Sequence, residues 1–400
     1  MNLHTNYPYW LLNSGIIKSY PSLLSNAHAE VIVMGAGISG ALSAWHLCNA
    51  GYKVVVLEKR HAGMGSTAAS TALLQYEIDT PLHELIPKIG QKKAVASYLL
   101  CMEAIHELKK ICTGLKQVTS FQYKPSLQYA SYKKDVQSLE TEYLLRKQAG
   151  IDVRLIGQSE IESKFGFTKD AALLSAVGAE VDAYELTHAL LHNCIHKGAQ
   201  VYDNTTVETI DHQKRGVSVI TSEGYKITAR KLVIACGYES EKYLPFRIQD
   251  VHTTYAMVSE PLDKQYFWYK NALIWETARP YLYLRTTTDH RILIGGKDSD
   301  FSAGTRRDEV LPAKAKALQK SFAALFPGIR FKPDFVWAGS FAGTKDGLPY
   351  IGKIPQRSHT YFALGFGGNG ITFSLLAAQL ITSMIEGKSN KYKEIFSFDR

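Results

Sequence analysis

The sequence predicts an α/β fold: an open parallel sheet of the Rossmann type, interleaved along the chain with a domain of antiparallel β-sheet plus helices. Three observations predict it. A glycine-rich strand–turn–helix–strand occupies residues 30–58, and a second glycine-rich turn opens a long apolar helix near the end of the chain. Between them, residues 248–300 are dense in tyrosine, tryptophan and β-branched runs, the composition of a half-buried sheet.

The first observation is the most specific. Val31 to Met34 form a short apolar run suited to a buried parallel strand. Gly35, Gly37 and Gly40 fill the glycine positions of G-x-G-x-x-G: one for a tight turn, one for close backbone approach to a pyrophosphate, one for helix–strand packing. The helix that follows, from Ala41 to Asn49, aims its unpaired N–H groups and positive dipole end at that pyrophosphate. Gly51 stops it, and the second strand ends on Glu58, eighteen residues past Gly40. An acid there hydrogen-bonds a ribose and disfavours a 2′-phosphate. No second G-x-G-x-x-G occurs, so NAD(P)H is not expected as a further ligand.

Bulk properties exclude several classes. A length of 400 residues calls for at least two domains. The five cysteines, Cys48, Cys101, Cys112, Cys194 and Cys236, show no C-x-x-C or Cys/His ligand spacing, so zinc, iron–sulfur and dithiol centres are not expected. The net charge of +9 is spread in short patches such as Lys92-Lys93 and Arg306-Arg307 among acids. That pattern reads as solvated surface, and no nucleic-acid partner is expected. With no uncharged apolar run of eighteen residues and no secretory leader, the expectation is no transmembrane segment and a cytoplasmic location.

Along the chain, residues 1–29 read as an arm packed through Tyr7, Tyr9 and Trp10. The small, hydroxyl-rich stretch from His61 to Gln75 reads as a loop and helix start against the rest of the nucleotide. Residues 81–113 and 133–149 read as helices, with an extended segment broken by Pro125 between them. Helix over 182–196, strands at 200–202 and 206–210, a hairpin around 222–224 and a buried strand from Lys231 follow. Strands at 255–259, 273–276, 281–285 and 291–295 then precede a helix over 308–325.

Several of these pieces recur together elsewhere. The glycine fingerprint with Glu58, the Gly65-Ser-Thr-Ala-Ala-Ser70 loop, the Ala235-Cys-Gly237 strand end, Trp337-Ala-Gly339 with Gly343-Thr-Lys-Asp-Gly-Leu-Pro-Tyr-Ile-Gly352, and the Gly365-Phe-Gly-Gly-Asn-Gly-Ile371 turn stand in one order. Together they resemble the D-amino-acid oxidase (DAO) family of FAD-dependent oxidoreductases, nearest its glycine oxidase and sarcosine oxidase branch. The likeness spans roughly residues 30–386. It implies an FAD-binding domain from residues 30–80, 150–240 and 335–400, and a substrate domain from 81–149 and 241–334. Beyond the three glycines and Glu58, it implies FAD contacts from Ala36, Ile38 and Ser39, and from Lys59 and Arg60. Gly65, Ser66, Thr67, Thr71 and Ala72 would lie along the cofactor. So would Val207, Cys236, Gly237 and Gly339, and the terminal turn would add Gly367, Gly368, Asn369, Gly370, Ile371 and Thr372.

The implied chemistry is hydride transfer from a carbon bearing an amine to flavin N5, giving an imine that water hydrolyses. A small amine or amino-acid-like substrate is therefore expected, with oxygen, a quinone or a carrier protein as acceptor. A dehydrogenase of a hydroxy acid or polyol phosphate, or a catalytically silent flavoprotein subunit, would share the architecture. The sequence also departs from its relatives. Glycine oxidase-like members place substrate-binding arginines where this chain has Phe341 and Gly368, so the bidentate carboxylate anchors are missing. Arg285 either replaces them from another wall or is a surface arginine at a strand end. Gly339 stands where sarcosine oxidase-like members carry a flavin-linked cysteine, which implies non-covalent FAD. No lysine lies on the 291–295 strand, where that branch activates oxygen. Gln75, Tyr76, Glu77, Tyr255 and Tyr283 complete the pocket candidates, with sheet packing as the alternative role for the tyrosines.

Overall fold

The computed structural model describes residues 3–300 and 304–400, with side chains at all of these except 304 and 305. Two large sheets organise it. The first has six strands in the order Gln200–Tyr202, Val54–Leu57, Val31–Met34, Lys231–Ile234, Thr360–Leu364 and Tyr350–Gly352, parallel except for the last. Its central strands are buried on both faces, which is why they read as unbroken apolar runs. On one face pack the helices Ile38–Asn49, Ala183–His196 and Gly370–Ile385. A four-stranded sheet, including the Val207–Gln213/Gly216–Thr221 hairpin and the arm strand Ala27–His28, covers the other.

The second sheet has nine strands, running from His4–Thr5 through Pro333–Gly343, Asp250–Ser259, Ile292–Asp300, Tyr283–Thr286, Leu273–Glu276, Ser126–Tyr129 and Ala171–Ser175 to Val153–Gly157. It is antiparallel except where Leu273–Glu276 meets Ser126–Tyr129. Its outer face carries the helix Gly304–Leu325 and an aromatic core that includes Phe165, Phe167, Trp268, Phe322 and Phe326.

This corrects the expected boundaries at three places. Residues 153–175 supply two strands to the nine-stranded sheet and 335–343 lie in another, although the resemblance implies that they belong to the FAD-binding domain. Residues 82–114 do the reverse: they form two helices, Leu82–Ile89 and Gln91–Gly114, separated at Gly90. The longer one turns Ala94, Tyr98, Cys101, Ile105 and Leu108 onto the core shared with the C-terminal helix, at helical spacing. The arm is tied down as expected at Tyr9 and Trp10, both buried, whereas Tyr7 is 73% exposed.

The stretch Gly367–Ile385 is long and apolar enough to span a membrane, but it is mostly buried as the central helix of the first core. All five cysteines are free. Among the described residues, no group of His, Cys, Asp and Glu side chains is arranged to hold a metal.

Candidate functional site

One cavity of about 1890 Å3 of empty space, partly open to solvent, runs between the two sheets. Its lining runs from the glycine-rich turn after the first parallel strand to the face of the nine-stranded sheet. At its inner end lies the glycine turn. Gly35 has a φ of 100°, and a Cβ there would meet the Ala235 carbonyl oxygen at 2.5 Å. A Cβ at Gly40 would come within 1.8 Å of the Gly35 oxygen, so only glycine lets the helix seat on the turn. The first turn of the helix Ile38–Asn49 faces the cavity through Gly37, Ile38 and Ser39. Thr67 Oγ1 accepts the Ile38 N–H at 2.9 Å, fixing the Ser66–Ala69 turn beside it.

Glu58 ends the second strand, buried. One of its oxygens accepts the Ala36 N–H at 2.9 Å and the other the Arg60 N–H at 2.9 Å, which leaves lone pairs for a ligand hydroxyl. Lys59 and Arg60 both reach Glu239, at 2.5 and 3.1 Å. Burial alone would raise the Glu239 carboxyl, but Lys59 and Arg60 hold it below the usual range. Val207, Cys236 and Gly237 line the same end. The Cys236 thiol donates to the Met34 carbonyl, and burial pushes it up to about 12.

The cavity continues past Gly65, Ser66, Thr67, Thr71, Ala72 and Gln75 to the terminal turn, where Gly367, Gly368, Gly370 and Ile371 line it. The 69–72 loop is held from behind by three side chains. Trp337 Nε1 donates to the Ala69 carbonyl at 2.9 Å and Trp10 Nε1 to that of Ser70 at 2.6 Å. Arg285 Nη1 donates to the carbonyls of Thr71, Ala72 and Val181 at 3.0–3.1 Å. Asn369 ties the terminal turn to this wall by donating to the carbonyls of Gln75 and Glu77, and Thr372 caps Asn369 in turn.

The remaining wall belongs to the nine-stranded sheet, through Thr254, Ala256, Tyr283, Asp298, Gly339, Ser340 and Phe341, and to Tyr281 just ahead of the Tyr283–Thr286 strand. Tyr283 lies flat on the neighbouring strand because its cross-strand partner is Gly295, where a Cβ would meet the phenol ring at 2.4 Å. Burial raises both Tyr281 and Tyr283 phenols, Tyr283 to about 12, so both remain donors at neutral pH.

Of the residues expected in the pocket, Gln75, Tyr283 and Phe341 line the cavity and four do not. Tyr255 points through the sheet to the outer core, with its hydroxyl on Ser299 at 2.9 Å, because Thr254 and Ala256 take the cavity side of that strand. Tyr76 and Glu77 lie behind Gln75. The Tyr76 hydroxyl meets Ser175 at 2.7 Å, and Glu77, raised by burial, lies near Arg146. Arg285 is 2% exposed, paired with Glu180 at 3.3 Å and saturated by carbonyls, so it neither replaces the missing anchors nor sits on the surface. Among the expected cofactor residues, Ala36, Gly40, Asn369 and Thr372 support the cavity from behind rather than line it.

Sequence reasoning missed Tyr238, Thr254 and Asp298, which line the cavity, and Asp79, which hydrogen-bonds its lining residues Gly368 and Tyr281. Asp298 had one legible signal, the Gly295-Gly296 pair just before it, which marks an irregular strand.

Curated relatives cover the chain nearly end to end. It is 26% identical to glycine oxidase of Geobacillus kaustophilus over 91% of this chain and 94% of that one. Against gamma-glutamylputrescine oxidoreductase of Escherichia coli it is 26% identical, over 98% and 91%. A Bacillus subtilis protein named as a Rieske 2Fe-2S iron–sulfur protein, YhfW, is 25% identical over 98% of this chain and 75% of its own length. In fold, the chain matches the crystal structure of the Geobacillus kaustophilus glycine oxidase with a TM-score of 0.78 at 19% identity, covering 92% of this chain and 96% of that one. L-proline dehydrogenase from P. horikoshii gives 0.77 at 20%, over 94% and 97%. Residues 30–384 match the family described as DAO, FAD dependent oxidoreductase, and the chain belongs to that family of oxidoreductases.

Proposed function

We propose that the chain oxidises a small amine or amino-acid-like substrate at a non-covalently held FAD. The observation that carries this reading is the single continuous cavity. It joins the glycine turn and Glu58 at one end to a sheet wall of Thr254, Tyr283 and Phe341 at the other.

The residues fit the group. The glycine turn leaves no room for a side chain against a pyrophosphate, and Glu58 keeps lone pairs for a ribose. The helix Gly370–Ile385 starts at the cavity, where its positive dipole end would favour an electron-rich group of the cofactor. FAD supplies the hydride-accepting atom. The chain orients and desolvates: Gln75 and the 69–72 loop lie on one side, the sheet wall on the other, and together they enclose a bound amine. No side-chain base is required if the amine enters neutral. Among the described residues, Cys236 is the only cysteine lining the cavity, at the Glu58 end with its thiol pushed up by burial, which supports non-covalent attachment.

A polyol phosphate is a poorer match. The lysines and arginines among the described lining residues are Lys59, Arg60 and Lys242, which belong to the Glu58 end with Glu239. The same absence of a lysine at the ring end favours a quinone or carrier protein over oxygen as acceptor. The iron–sulfur name of the Bacillus subtilis relative is in keeping with that. The test is product analysis: turnover with an artificial acceptor should release ammonia (or the shorter amine) and an aldehyde or oxo acid, and acid precipitation should release all the FAD. Release of a carbonyl product without nitrogen from a hydroxy acid would replace this reading.

A further inference from the structure

We propose that the substrate end of the cavity selects an amine bearing a second positive charge, a diamine or related polycation, with Asp298 as the anchor for the distal charge and Asp79 behind it. This rests on the amine reading above and names its substrate class.

The first argument is steric. A Cβ at Gly368 would meet Asp79 Oδ1 and the Tyr281 hydroxyl, each at 2.8 Å. The space a side chain at 368 would need is thus taken by a carboxylate and a phenol. They are locked there, since the Gly368 N–H donates to Asp79 Oδ2 at 2.7 Å and Tyr281 donates to Oδ1 at 2.9 Å.

The second argument is the strand that carries Asp298. Tyr255 pairs with Gly296 and Thr253 with Ser299, so the single residue Thr254 opposes two, Lys297 and Asp298. This is a β-bulge, with Lys297 at a φ of 60°. In an unbroken strand the residue at 298 would face the outer core with Tyr255. The extra residue turns Asp298 to the cavity and leaves Ser299 to bond Tyr255.

The third argument is what surrounds that carboxylate. Thr254, whose hydroxyl meets that of Tyr283 at 3.4 Å, lines the cavity on the facing strand, and Asp298 Oδ1 is buried with no hydrogen-bond partner among the described residues. His252 and Lys314 lie within electrostatic range, but neither lines the cavity, and the Lys314 ammonium donates to the Lys297 carbonyl at 2.6 Å. Burial first, and Asp79 after it, push the Asp298 carboxyl above the usual carboxylate range, so a cation in the cavity beside it would favour its charged form. Tyr281 and Tyr283, with ring centroids 5.8 Å apart, add aromatic wall that also favours positive charge. A substrate carboxylate would meet Asp298 instead, with Asp79 behind the wall. The exposed Arg279 does not line the cavity, but it stacks 4.9 Å over the Tyr281 ring and bonds the Asp79 carbonyl, and it is the cation a substrate carboxylate would turn to.

The test uses the FAD-loaded protein and three amines that share one carbon chain: butane-1,4-diamine, butan-1-amine and 4-aminobutanoate. Flavin reduction is followed without oxygen, and binding is read in parallel from perturbation of the flavin spectrum. The diamine should exceed butan-1-amine by about tenfold in either readout, with 4-aminobutanoate weakest. In Asp298→Asn, checked for full FAD content, the diamine-to-monoamine ratio should fall toward one. Preference for 4-aminobutanoate would overturn the proposal in favour of Arg279. Equal losses for diamine and monoamine in the variant would overturn it too, by placing Asp298 on the reacting amine. Either result leaves amine oxidation standing. Reduction by hydroxy acids or polyol phosphates alone would remove both. The ratios of the unmodified protein decide the matter even if the variant does not fold.

Discussion

Glu58 and Arg285 show how differently a charged residue at a strand end can serve. Glu58 was legible from its distance to the glycine turn, because a parallel strand of four residues after a helix ends at a fixed place over the fingerprint. Replacing it as Glu58→Gln removes a charge-assisted acceptor worth about 1.5–3 kcal/mol, so FAD affinity should fall by roughly one to two orders of magnitude. Fluorescence titration of the apoprotein measures this, and unchanged affinity would take Glu58 out of the cofactor site. Arg285 could not be placed from sequence, since its partners lie at residues 71–72 and 180–181, far along the chain. In Arg285→Met, Glu180 keeps its pairing with Lys124, at 3.4 Å, and the carbonyls of Thr71, Ala72, Val181 and Thr286 lose a donor. A loss of about 3–5 kcal/mol is expected on denaturant unfolding. A loss under 1 kcal/mol would mean that water replaces the guanidinium.

At the scale of elements, local signals located most helices and failed where pairing decides. The Ala183–His196 helix starts where Asp182 caps it, accepting the N–H groups of Tyr184 and Glu185 at 2.8 and 2.9 Å. The strands Val153–Gly157 and Ala171–Ser175 carry no comparable mark, and their place at the edge of the large sheet is fixed only by their partners. The bulge at Lys297 is equally silent, and it decides which side chain reaches the cavity. One inter-helix link has a pH signature. Glu142, on the Val136–Gln148 helix, accepts from Arg146 and from both the N–H and the ring of His83. Burial pushes Glu142 up, but Arg146 and His83 outweigh it and hold the carboxyl at about 2. A depressed carboxyl stabilises the fold above its unfolded value near 4.5 and loses that contribution as pH falls toward 2. Glu142→Gln should therefore cost about 3 kcal/mol at neutral pH, with the difference closing in acid. A difference independent of pH would show that Glu142 acts through packing alone.

At the scale of the molecule, the chain crosses repeatedly between the two sheets, and the cavity lies where they face each other. Strand Pro333–Gly343 and the terminal turn bring the two walls together only after most of the chain has been laid down. The fingerprint and the terminal turn were therefore readable as the two ends of a nucleotide site, whereas the boundary between the sheets was not. Its markers are contacts such as those of Gln91–Gly114 with the C-terminal helix. The most direct measurement is anaerobic mixing of the flavin-loaded protein with amines, amino acids, hydroxy acids and polyol phosphates, followed by the flavin absorbance and then by readmission of air. The account predicts bleaching by an amine, with slow recovery in air and fast recovery with a quinone or carrier protein. Bleaching by hydroxy acids or polyol phosphates and by no amine would contradict it.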